Sequence, residues 1–390
     1  MTSTTARTLP RGSTTRLNRN PAAAWRHLDV VLIGAVVAVA LLGTLMVWSA
    51  TRGPTAPYRT SFFTKQLLFV GIGFVLLTVV SLVDYRVFRD FAAVIYGGAC
   101  ALLLLVVSPV GSRSKGAQAW FQFAGFQMEP SEFAKLGLVF LLAAVASQFQ
   151  GDMDVRRLIG MLAITGFPFA LIMLQPDLGT GLVFVSILGG IMLVAGVPGR
   201  HLAALVVIGA IGVVGVFHLH VLKEYQQARL TSFAAQDVNA KDNPELARAK
   251  YNVDQSKITI GAGGWGGQGL FNGSQTRLGN VPEQHTDFIF TAVGEQLGFV
   301  GGGTLLALFG IIVWRIWRTA QLARDPFGTL VCVGVLCMLM FQIFENVGMT
   351  MGIMPVTGIP LPFVSYGGSA TVAEFVAVGL VLNIHSRRFS

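Results

Sequence analysis

"DVVLIGAVVAVALLGTLMVWSA", residues 29 to 50, carries one charged side chain, Asp29, at its edge and none inside. At 1.5 Å of rise per residue, a helix of about 20 apolar residues matches the roughly 30 Å hydrocarbon core of a bilayer. Lipid offers no partner for exposed peptide groups, so such a stretch crosses as a helix that satisfies its own backbone. The pattern recurs along the chain. Spanning candidates lie near 29–50, 63–83, 91–110, 132–149, 158–174, 180–197, 202–222, 288–314, 328–348 and 366–385. The fifth and sixth are separated only by the turn "QPDLGT", which demands re-entrant or closely packed geometry. Of 390 residues 53% are hydrophobic and 12% charged, about half the charge of a soluble domain, and the mean hydropathy is +0.65. The expected fold is an all-α integral membrane protein of about ten transmembrane helices.

An even number of helices puts both termini on one side, and arginines say which. Arg7, Arg11, Arg16, Arg19 and Arg26 precede the first span; Arg86, Arg89, Arg156, Arg157, Arg200, Arg315, Arg318, Arg324, Arg387 and Arg388 fall on the same side. Basic residues in short segments mark the cytoplasmic face, so both termini are expected there. The net charge of +9 reflects this asymmetry and does not point to nucleic acid. Residues 1–28 read as a disordered basic cytoplasmic tail, and 29–390 as one polytopic membrane domain. Outside lie the segments 111–131 and 349–365 and a large loop, about 223–287, between helices 7 and 8. Its stretch 223–257 is amphipathic, with Tyr225, Leu230 and Phe233 as anchors to the outer membrane surface. Cys100, Cys332 and Cys337 lie in apolar runs, so neither a disulfide framework nor a CxxC metal site is implied.

Polar groups in or beside a bilayer are costly and mark function. In "MEPSEFAKL", Pro130 opens a helix, and Glu132 and Lys135 follow three residues apart on one face. That spacing fits a pair neutralising itself at the membrane edge, or an oriented charge at a cavity mouth. Asp177 in "QPDLGT" fits a backbone cap first. The glycines of "ITIGAGGWGGQGLFNGSQTRLGN" lack the GK[ST] of a phosphate loop and suit tight irregular backbone. "ENVGMTMGIMPVTGIPLPFVSYGGSA" contains three prolines between two spans and reads as a broken segment, opened by Glu345 and Asn346 and closed by Ser365 and Tyr366. Asp287 in "VPEQHTDFIF" stands at a helix start, where an acid caps the dipole or does chemistry. These residues alone leave the two readings even.

Taken together, the clusters resemble the SEDS family of bacterial wall polymerases, which includes RodA and FtsW. The resemblance covers about nine-tenths of the chain. It rests on "WFQFAGFQMEPSEFAKL", "QPDLGT", "QSKITIGAGGWGGQG", "VPEQHTDFIFTAVGEQLG" and "GIPLPFVSYGGSA" in that order; "NVGMTMGIMPVTGIPLPFVSYGG" is closer to the RodA branch than to FtsW. It implies a ten-helix enzyme of the bacterial cytoplasmic membrane that joins lipid II (the undecaprenyl-diphosphate disaccharide-pentapeptide) into glycan strands, with a class B penicillin-binding protein as partner.

It also implies that Asp287 is the essential acid and that Ser131, Glu132 and Lys135 form the family's PSE-x-x-K element. Candidate substrate-binding residues are Glu132, Lys135, Arg113, Lys115, Arg277, Ser131, Asp177 and Ser365, and a divalent cation (Mg or Mn) is a possible cofactor. The chain departs from the family at Glu129 and Gln268, where Gln and Lys are usual, and in "AAQDVNAKD". A lipid II flippase, and a scaffold that recruits a transpeptidase, share the same helices and charges.

Overall fold

The computed structural model describes residues 28–388 apart from 54, 56–57, 115–116, 124–125, 150–153 and 219–243. The expected basic tail, Lys115 and the anchors Tyr225, Leu230 and Phe233 therefore lie outside the described residues. Each expected span has its helix: α1 Val30–Thr51, α2 Ser61–Leu82, α4 Ala92–Val107, α5 Pro130–Ala146, α6 Val155–Leu174, α7 Leu178–Val194, α8 Gly199–His218, α11 Ile289–Leu322, α12 Pro326–Met351 and α13 Gly368–Ser386. Short α3, Tyr85–Asp90, precedes α4; α9, Pro244–Ala262, and α10, Ser274–Leu278, belong to the large loop. Among the described residues α1, α2, α6, α11, α12 and α13 are long and apolar enough to cross a membrane, and α4, α7 and the first part of α8 are shorter apolar helices.

One element adds to the helical expectation. Within the loop before α5, β1 Ser112–Ser114, β2 Ala117–Phe123 and β3 Phe126–Met128 form an antiparallel sheet in sequence order, with Phe121 opposite Met128. Phe121 and Ala119 are buried, so this sheet packs one face on the bundle and turns the other outward.

Of the six long apolar helices α12 and α13 are the most buried, with about 70% of each apolar window covered, and α5 is buried along most of its length beside them. Packing runs α2 on α13, α11 on α12, α4 on α5, α1 on α11 and α7 on α12. The arginine-rich end is stitched by ion pairs. Asp29 caps α1 through Leu32 N and accepts from Arg315 Nε at 2.6 Å; Asp84 caps α3 and meets Arg387; the Tyr85 hydroxyl donates to Asp325. The arginines on which the expected orientation rests thus also close this end of the bundle.

At the other end, α11 is broken at Gly298 (φ 66, ψ −164). A Cβ there would stand 2.3 Å from Gly267 N, so the glycine-rich loop and the kink fit only without side chains. The amphipathic α9 packs on α11 and α12 with Ala249 and Val253 buried.

Candidate active site

A cavity of about 820 Å³ opens at the end of the bundle that carries the sheet. Its wall comes from the start of α2, strands β2 and β3, the head of α5, the α6–α7 turn, residues 283–287, residues 356–360 and the head of α13. Glu132, Asp177 and Asp287 all reach it. Segments separated by more than 200 residues are therefore joined around one space.

Helix α5 begins at Pro130, whose fixed φ suits the first turn. Glu132 and Lys135 follow on one face, and Lys135 Nζ lies 2.8 Å from Glu132 Oε2. Ser131 is buried and donates to Glu129 Oε1 at 2.7 Å, while Trp120 Nε1 donates to Glu129 Oε2 at 3.2 Å. Glu129 lines the cavity beside Glu132. Burial, followed by the charges of Glu132 and Asp177, pushes its carboxyl up to about 8. Behind this wall Glu374 Oε2 accepts from Phe363 N at 2.7 Å and lies in electrostatic reach of Glu132 and Lys135.

Asp177 takes the cap position of α7, accepting from Thr180 N at 3.0 Å. The cap reading of "QPDLGT" therefore holds in the structure, and the same residue still lines the cavity. For Asp287 the outcome differs. The cap position of α11 belongs to Phe288, and Asp287 precedes it at the cavity wall.

The loop between α12 and α13 holds this acid in place. Ser365 Oγ donates to Thr286 O, and Tyr366 N donates to His285 O at 2.9 Å. The Phe62 ring packs on both His285 and Tyr366. Ser365 is buried and sits behind the wall as a tie.

Arg277 is exposed on α10 and outside the cavity wall, and the backbone of Arg113 lies in β1. Charge alone nominated Arg277, and charge does not say which way a loop faces. The wall also contains residues that sequence reading did not nominate: Lys65, Glu129, Trp120 and Thr357. Lys65 carried a usable signal, a lone lysine near the start of an apolar span. Five carboxylates (Glu129, Glu132, Asp177, Glu283 and Asp287) face the cavity with Lys65 and His285. Among the described residues no three Asp, Glu, His or Cys side chains are placed to hold a metal.

The profile of the FtsW/RodA/SpoVE family, described as "Cell cycle protein", matches residues 29–389. The chain belongs to this family. It is 36% identical over 363 residues to "Stage V sporulation protein E" of Bacillus subtilis, covering 91% of this chain and 96% of that one. It is 32% identical to "Peptidoglycan glycosyltransferase MrdB" of Escherichia coli, covering 93% of this chain and 94% of that one.

Among solved structures, one described as "Structural coordination of polymerization and crosslinking by a peptidoglycan synthase complex" superposes with TM-score 0.79 at 30% identity, over 94% of this chain and 100% of that one. The crystal structure of Thermus thermophilus RodA gives TM-score 0.67 at 30% identity, over 94% and 99%. The FtsW/RodA/SpoVE assignment makes the chain a multi-pass membrane protein and places it among glycosyltransferases.

Proposed function

We propose that the chain polymerises lipid II into β-1,4-linked glycan strands at the outer face of the cytoplasmic membrane, with both termini inside. The reading is carried by Asp287, which shares one cavity wall with Glu132 at the end of the bundle opposite the arginine-rich end. In a single inverting displacement the acceptor 4-hydroxyl attacks the donor anomeric carbon. The new O–C bond forms as the bond to the diphosphate oxygen breaks, and the hydroxyl proton passes to the Asp287 carboxylate. The diphosphate leaves with the bonding pair. Such a base contributes about 10²–10⁴-fold.

Lys65, which lines the wall, supplies positive charge for the departing diphosphate, and Lys135, buried behind Glu132, orients that carboxylate. A Mg or Mn ion would take one or two wall carboxylates, Glu132 and Asp177 being of that kind, together with substrate oxygens. An elongation role is favoured by the RodA-like "NVGMTMGIMPVTGIPLPFVSYGG". A penicillin-binding transpeptidase is the partner this reading calls for, since the structural relative is described as a complex for polymerisation and crosslinking.

The test is a lipid II polymerisation assay on purified wild type and Asp287→Asn, with and without the transpeptidase and divalent cations. Wild type should make polymer, and the variant should lose at least about 10²-fold while staying folded. Polymer from Asp287→Asn at the wild-type rate would remove the base. Lipid II movement across vesicles without polymer would favour a flippase.

A further inference from the structure

Two successive residues at the end of α12, Glu345 and Asn346, are fully buried yet polar. Asn346 Nδ2 donates to Asp287 O at 2.7 Å and to Ile359 O at 2.8 Å. An amide nitrogen has two hydrogens, so both are used, one on each segment that meets at the cavity. Glu345 Oε1 accepts from Thr357 Oγ1 at 3.0 Å, and its Oε2 has no hydrogen-bond partner among the described residues. Between Thr357 and Ile359 lies Gly358, at φ +80. A Cβ on Gly358 would stand 3.4 Å from Asp287 Oδ2, so the loop lies directly against the carboxylate.

A carboxyl and an amide inside an apolar bundle each carry a desolvation cost that one or two hydrogen bonds only partly offset. Apolar residues of similar size would serve stability as well. What they would not do is fix two irregular segments relative to each other. We propose that Asn346 and Glu345 are positioning residues that clamp the Asp287 turn to the 357–359 loop and so aim its carboxylate into the cavity. The inference rests on the reading of Asp287 as the base, since the clamp acts through that residue. Asn346 carries the main link; Glu345 steadies the loop through Thr357.

The test uses the purified full-length protein. Asn346→Asp keeps shape and deletes both donated hydrogens; kcat should fall about 10²-fold, the cost of a misplaced reacting group, with KM little changed. Glu345→Leu should also lower kcat, and Glu345→Gln should recover most of that loss because its amide oxygen still accepts from Thr357. In Asn346→Asp hydrogen exchange should quicken about fivefold in peptides covering 283–290 and 355–366, and not in the middle of α11, as each of the two segments loses one hydrogen bond.

A folded Asn346→Asp with wild-type kcat and exchange overturns the clamp, as does a rise in KM at unchanged kcat. Equal losses in Glu345→Gln and Glu345→Leu overturn the part assigned to Glu345. Should Asn346→Asp fail to fold, Asn346→Ser, which keeps at most one donor, decides: quickened exchange in 283–290 or 355–366 supports the clamp and wild-type exchange in both overturns it. Exchange needs no turnover, so a wild-type protein that makes no polymer counts against the proposed function while the exchange result still decides the clamp.

Discussion

Lys135 Nζ lies 2.8 Å from Glu132 Oε2, three residues apart on α5, and the two side chains are only 2% and 4% exposed. In such a place removing one partner strands the other charge, which costs about 3–5 kcal/mol, whereas replacing both can be neutral. Lys135→Ala should therefore lose both activity and thermal stability. Glu132→Gln combined with Lys135→Met should regain stability and remain inactive. Detergent unfolding curves beside polymer yields check this; recovery of activity in the double variant would show that the pair is structural.

Glu129 gives a pH prediction. Its carboxyl is raised to about 8, above an unfolded value near 4.3. For an acid raised on folding, the favourable contribution is complete below the unfolded value and is lost as pH climbs to the folded one. The stability of wild type relative to Glu129→Gln should thus fall between about 4.3 and 8, then level off. Above that window a new negative charge beside Glu132 and Asp177 opposes an anionic substrate, so wild-type turnover should drop on the alkaline side. Glu129→Gln should blunt that limb. Superimposable pH profiles would show that Glu129 does not titrate in the working range.

The helices were legible because apolar runs recur along the chain, six of them among the described residues long and apolar enough to cross a membrane, and even α5, with two charges, is announced by Pro130. The sheet was not, since its outer strands have three residues each and no alternation long enough to register. Glu129 was visible only as a departure from the family pattern. Its place in the wall depends on Trp120, across the β2–β3 hairpin, and on Ser369, 240 residues away, whose Oγ accepts from the Glu129 N–H. Asn346 and Glu345 were noted as the start of a broken segment, but the link from Asn346 to Asp287 spans 59 residues and no local pattern encodes it.

Asp177 both caps α7 and faces the cavity, and two substitutions separate the roles. Asn is as good a cap as Asp, whereas Ala costs about 1 kcal/mol. Asp177→Asn should keep wild-type stability and Asp177→Ala should fall by that amount. If turnover follows stability across the pair, Asp177 is a cap alone. Loss of turnover in Asp177→Asn at full stability would assign its charge to substrate or cation binding.

Glu295, fully buried on α11, governs the loop that leads into the site. Oε1 accepts from Gln275 N at 2.6 Å and Oε2 from Thr276 N at 3.1 Å and Thr276 Oγ1 at 2.6 Å. These are orphan donors of the first turn of α10, which no side chain from Gly273 caps. Thr276 in turn accepts from Gln284 Nε2, which also donates to Thr291 at 3.0 Å. The carboxylate therefore fixes α10 to α11 on the approach to Asp287. Glu295→Gln keeps the acceptor oxygen for one N–H and turns the other donor into a clash of like hydrogens. It should lose about 1–3 kcal/mol, the cost of buried donors left unmatched. Glu295→Asp, one methylene short, should lose less, since the charge survives. Proteolysis between 263 and 280 should quicken in Glu295→Gln before any change in the helices appears. Unchanged cleavage there would mean that the loop is held by Gln296, whose Oε1 accepts from Ser49 Oγ and Phe271 N.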